Sequence, residues 1–106
     1  HWNPKGWAAL TIALKRAGFV LVNRYVVHAE NYNSVHIVNQ NALVHDVILV
    51  LAPATSVPPP DWEQPQNIRA DNSQHFCYDC GTLLGHLLQT EMSENELQKL
   101  WQHLLN

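Results

Sequence analysis

Two stretches decide the architecture: Phe19-Val20-Leu21-Val22-Asn23-Arg24-Tyr25-Val26-Val27-His28-Ala29 and Ala42-Leu43-Val44-His45-Asp46-Val47-Ile48-Leu49-Val50-Leu51-Ala52. Both are rich in β-branched and aliphatic residues and read as strands. Phe19 to Val22 is apolar on both faces, as is Val47 to Leu51. Strands of this kind are covered on both sides. From Asn23 the first strand loosens, with Asn23, Arg24 and His28 interrupting Tyr25, Val26 and Val27, so it leaves the core for a working edge. Too few helices follow to cover both faces, which points to a body of protein outside this chain.

Upstream, Asn3 caps a helix with Pro4 in its first turn, where a missing N–H costs nothing. Trp7, Leu10, Leu14 and Ala17 share one apolar face at spacings of three and four. Lys15 and Arg16 suit the negative end of the helix dipole, and Gly18 stops the helix. A helix feeding a strand that must pair with something earlier, in a chain starting at His1 rather than Met, reads as a piece of a longer α/β protein.

Between the strands, Glu30 to Asn41 is a long polar connection. Hairpin loops usually have about two to five residues, and longer ones more often carry function. His28, Glu30, His36 and His45 converge if the strand ends meet there, which would let them bind a ligand or orient a base. Hydrogen bonding within the loop is the plainer alternative. Downstream, the Pro-rich stretch 53–65 breaks the sheet-bearing part, with Trp62 as a packing anchor. The expected organisation is therefore residues 1–53, a linker over 54–70, and a two-helix extension over 71–106. In the extension, Phe76, Cys80, Leu83, Leu84, Leu87 and Leu88 mark one helical face. Ser93 and Glu96 form a capping box ahead of Leu97, Leu100, Trp101, Leu104 and Leu105. The two helices are expected to form a hairpin.

Composition narrows the function classes. The chain has 106 residues, 46% of them hydrophobic and only 14% charged, with a net charge of −3. That is one domain without a basic footprint for nucleic acid. Its longest apolar run, Val47 to Ala52, is far too short to span a bilayer, and no basic segment followed by an apolar stretch opens the chain. Two cysteines form no disulfide framework, which suggests a reducing, cytoplasmic setting. Cys77-Tyr78-Asp79-Cys80 is a C-x-x-C motif, but a zinc site needs two further ligands, with His75 and His86 nearest. At helical spacing both cysteines share a face with Leu84 and Leu88, so two small core residues is the favoured reading. The seven histidines form no helical i, i+4 pair. No dinucleotide fingerprint, P-loop, H-E-x-x-H or G-x-S-x-G occurs.

His1-Trp2-Asn3-Pro4-Lys5-Gly6-Trp7-Ala8-Ala9-Leu10, with Ala13-Leu14-Lys15-Arg16-Ala17-Gly18-Phe19, resembles the closing segment of S-adenosylmethionine-dependent, adenine-specific DNA methylases. Tyr25 to Glu30 and His45 to Leu51 look like the sixth and seventh strands of that fold. The resemblance covers residues 1–53 and includes no catalytic motif. Amino-methyltransferases carry an Asp-Pro-Pro-Tyr-type motif, whereas in Pro58-Pro59-Pro60-Asp61-Trp62 the acid follows the prolines.

The resemblance implies the C-terminal part of a class I methyltransferase sheet: helix, strand, long loop and antiparallel strand, followed by the helical extension. It implies a sheet edge and a wall of the target-base pocket. There Tyr32 would stack on a flipped base, and Glu30, Ser34, His36, Asn39 and Asn41 would line or hydrogen-bond it. His1 and Trp2 would lie by the S-adenosylmethionine site, beyond the carboxyl end of the fifth strand. Most of the cofactor site and the catalytic motif would belong to the missing N-terminal body, and DNA would be met through the full-length enzyme. Alone, the chain would be inactive. The alternatives are a small interaction module docking through the Leu-rich helices 76–90 and 94–105, or a metal module on Cys77 and Cys80.

Overall fold

Gly18 turns the chain from helix to strand with a backbone φ of 80°, a left-handed conformation that glycine adopts without strain. The computed structural model describes residues 3–28, 45–56 and 58–105. Its elements run α1 (Pro4–Arg16), β1 (Phe19–His28), β2 (His45–Pro53), α2 (Ser73–Leu87) and α3 (Glu94–Leu105). They make an α/β domain with a two-stranded antiparallel sheet and three helices. Among the described residues, no helix is long and apolar enough to cross a membrane.

Helix α1 starts as its sequence predicts: Asn3 Oδ1 accepts the Lys5 N–H at 2.9 Å, and Pro4 occupies the first turn. Its buried stripe differs from the expected one. Trp7, Ala8 and Thr11 are buried, while Leu10 and Ala17 are exposed. The reason is a polar contact that hydrophobicity cannot register. Thr11 Oγ1 donates to the Trp7 carbonyl at 2.8 Å and accepts the Trp101 indole N–H at 3.0 Å. The Trp7 and Trp101 rings stack at 5.2 Å, which rotates α1 toward α3.

Strands β1 and β2 pair from Phe19↔Pro53 to His28↔His45. A bulge at Val22 interrupts the register, because Leu21 faces Leu51 but Asn23 faces Val50. An inserted residue shifts which side chains face inward. Leu21 lies in the core and Val47, Leu49 and Leu51 pack against it, whereas Val22, Tyr25, Val27, Ile48 and Val50 are exposed.

Helix α2 covers the inner face. It is capped by Asn72, whose Oδ1 accepts the His75 N–H at 2.8 Å, and so begins earlier than the apolar periodicity suggests. Its large residues, Phe76, Leu83, Leu84 and Leu87, enter the core. Its small ones, Cys77, Gly81 and Gly85, form an i, i+4 ridge that admits the hairpin. A Cβ on Gly85 would lie 2.8 Å from both Leu21 and the Trp62 ring. Trp62 is an anchor, donating its indole N–H to the Leu21 carbonyl at 2.9 Å.

The Ser93–Glu96 capping box forms: Ser93 N–H donates to Glu96 Oε1 at 3.1 Å, and Glu96 N–H to Ser93 Oγ at 3.2 Å. Helix α3 then packs mainly on α1, with α2 on the sheet, so the expected hairpin of the last two helices is replaced by two separate dockings. The Trp7–Trp101 stack and the Arg16–Glu94 ion pair at 2.6 Å hold α3 there. The apolar stripes of both helices are core. Phe76, Cys80, Leu83, Leu84, Leu87, Leu97 and Trp101 are all at most 1% exposed, which removes them as a docking surface.

Candidate functional site at the open end of the hairpin

His28 and His45 face each other where the two strands end. Their rings meet edge to face at 5.3 Å. Of the four residues expected to converge here, the described structure brings these two together. Glu30 and His36 lie outside the described residues, as do Tyr32, Ser34, Asn39 and Asn41 of the expected base pocket, and His1 and Trp2.

His45 is held from two sides. Its backbone N–H donates to Ser73 Oγ at 3.0 Å, and its carbonyl accepts the Cys77 thiol at 3.4 Å. Among the described residues its ring Nδ1 is buried and has no hydrogen-bond partner. A buried polar atom left without a partner costs about 1–3 kcal/mol. Beside it opens a cleft of about 430 Å³ between the first turns of α1, the start of β2 and α2. Gly6, Trp7, Leu10, His45, Asp46, Val47 and Cys77 line it. The lining is mainly apolar, with His45 and Asp46 as its polar residues. A second cleft, of about 470 Å³, lies between α1 and α3 beside Lys5, Gln98 and Gln102, away from the histidines.

The cysteines bring no reactive thiolate to this cleft. Burial pushes both thiols up, Cys80 furthest. His75 and His86, the nearest histidines in sequence, are engaged elsewhere. His75 Nδ1 contacts Asp71 at 2.9 Å, and His86 Nδ1 donates to the Trp62 carbonyl at 3.0 Å. Among the described residues no group of three or more His, Cys, Asp or Glu is placed to hold a metal ion. Asp79, inside the C-x-x-C, is a structural acid. It accepts the Arg69 backbone N–H at 2.9 Å and the Arg69 guanidinium at 2.8 and 2.9 Å. Burial opposes its ionisation most strongly, yet the Arg69 bonds together outweigh it and hold the carboxyl below its ordinary value.

Trp7 and Cys77 read in sequence as core residues, and they are buried, but each also presents an edge to the cleft. The only advance signal was position: Trp7 lies one turn into a helix and Cys77 one turn into another, and helix starts gather at the sheet end where ligands bind.

No family model matches the chain, and neither does any curated protein or solved structure.

Proposed function

We propose that this chain is the closing segment of an S-adenosylmethionine-dependent methyltransferase that acts on an amino group of a DNA base, adenine by the resemblance of residues 1–53. The reaction is direct displacement. The base nitrogen attacks the sulfonium methyl, the sulfur–carbon bond breaks, and the nitrogen sheds a proton. The segment supplies a sheet edge and one wall of the base pocket, through the loop from Glu30 to Asn41 and the cleft beside His45. The cofactor site and the group that grips the amine belong to the rest of the enzyme, with His1 and Trp2 beside that cofactor.

The observation carrying this reading is the outer face of the hairpin. Tyr25 is 53% and Ile48 50% exposed, with Val22, Val27 and Val50 beside them. Contiguous exposed apolar side chains mark an interface. A preceding helix, an antiparallel strand pair and one uncovered apolar face are what the edge of a larger sheet requires.

The test begins with the coding sequence upstream of His1. A continuous frame with a Gly-rich cofactor loop and an Asp-Pro-Pro-Tyr-type motif is expected, and its product should transfer labelled methyl groups to DNA. A frame without either motif, or a product that transfers none, removes the methyltransferase reading. The same outer face then favours a small interaction module, docking through the hairpin rather than the helices.

A further inference from the structure

Arg24 occupies an unusual position for a cation. The bulge at Val22 turns it to the inner side of β1, where its methylenes lie against α2. A Cβ on Gly81 would be 2.8 Å from Arg24 Cδ, so glycine there makes the room. The guanidinium is then held between two rings, 3.8 Å from the centroid of Tyr78 and 4.9 Å from that of Trp62. Its Nε donates to Thr82 Oγ1 at 3.0 Å, with the Tyr78 carbonyl at 3.4 Å.

Among the described residues the guanidinium has no anion beside it. The other two arginines are each paired with a carboxylate, Arg16 with Glu94 and Arg69 with Asp79. Arg24 forms no such pair among the described residues, although Asp61 and Glu63 flank Trp62 in sequence. Both of its Nη nitrogens are without an acceptor there. A guanidinium already fixed by two rings and one hydrogen bond loses little entropy on binding, and its free edge matches two oxygens of an oxyanion. Bulges often re-aim a side chain beside a functional site.

We propose that Arg24 is a phosphate contact for a nucleic-acid strand, with the half-exposed Tyr78 ring offering a stacking surface for the adjoining base. A fixed cation beside a solvent-facing aromatic is the unit that single-strand binding surfaces repeat along a basic groove, and in a chain of net charge −3 the rest of that groove belongs to the longer enzyme. That unit distinguishes this occupant from an acidic peptide, which would use the cation and leave the ring idle. The inference deepens the DNA-directed reading above and rests on it for the choice of strand, but its test uses this chain alone and no methyl transfer.

The experiment titrates a short thymidine oligonucleotide into the chain and follows amide and Arg side-chain resonances at several salt concentrations. Saturable shifts centred on Arg24, Tyr78 and Thr82 are expected. Arg24→Gln should weaken binding about fivefold to tenfold and reduce the magnitude of the log–log salt slope by about 0.7, the value for one phosphate on a single strand. Tyr78→Ala, at a position 47% exposed, should weaken binding severalfold while leaving that slope unchanged. If Arg24→Gln disturbs the hairpin, the oligonucleotide-induced shifts at Arg24 and Thr82 of the unaltered chain decide. Oligonucleotide shifts absent at Arg24, affinity unchanged in Tyr78→Ala, equal saturation by inorganic phosphate, or tighter binding of a poly-glutamate peptide each overturn the inference. Methyl transfer by the longer product with no Arg24 effect sinks this inference and spares the enzyme reading; Arg24-dependent binding without methyl transfer does the reverse.

Discussion

At the scale of single residues, the chain is organised by polar atoms satisfied inside an apolar core. Thr11 is the clearest case. Its hydroxyl is fully buried, and it completes the hydrogen bonding of Trp101, which is also fully buried. Thr11→Val keeps the shape and removes the acceptor, leaving an indole N–H without a partner. We expect a loss of about 1–3 kcal/mol in urea unfolding, with native circular dichroism retained. Asp79 gives a pH-dependent counterpart. Its carboxyl is held below the ordinary value, so its contribution is complete above about pH 3.9, the unfolded value, and fades as pH falls through the lower folded one. Asp79→Asn should cost about 1 kcal/mol at pH 7, a figure kept small because Arg69 is 45% exposed. The gap between variant and parent should close on acidification below pH 4; a gap constant down to pH 2 would assign the effect to packing.

Among elements, the ridge of Cys77, Gly81 and Gly85 sets how close α2 lies to the hairpin. Gly85→Ala gains helix propensity of about 1 kcal/mol but drives a Cβ into Trp62 and Leu21. Overpacking of this kind costs about 1–3 kcal/mol, and the Trp62 ring cannot yield as a flexible side-chain end does. A net fall in the urea midpoint is expected, together with a change in Trp62 fluorescence. A rise in midpoint would mean that the irregular segment carrying Trp62 gives way freely. Two helix starts were legible because capping is local: Asn3, and the Ser93–Glu96 box, act through their own backbone neighbours, whereas the Asn72 cap of α2 was missed. The stripe of α1 was not legible, since Leu10 and Thr11 exchange places only when Trp101, distant in sequence, supplies a donor.

For the whole molecule, one core joins all three helices to the inner face of the hairpin, and the outer face is left apolar. Ile48→Glu on that face should change the stability of the chain by no more than about 0.5 kcal/mol, because the side chain is 50% exposed. In the longer enzyme proposed above, the same change should abolish methyl transfer by burying an unpaired charge. Unfolding of the chain by Ile48→Glu would show instead that this face is internal to the domain. The Cys77 and Cys80 thiols should resist alkylation until the chain unfolds, since burial holds both protonated.

Amino-acid order alone determined the elements along the chain: a capped helix, a glycine stop, two apolar strands and two Leu-rich helices. Each follows from short-range rules of capping, periodicity and turn chemistry, which a linear reading contains. It also offered His28 and His45 as neighbours on the condition that the strand ends meet, and the pairing of the strands supplies that condition. Tertiary structure alone decided where the last helices dock, because α3 is drawn to α1 by the Trp7–Trp101 stack rather than to its neighbour in sequence. It alone turned Arg24 inward, since one bulged residue reverses the alternation on which strand faces are read. And it alone opened the cleft beside His45, whose walls come from α1, β2 and α2, elements that no local pattern relates.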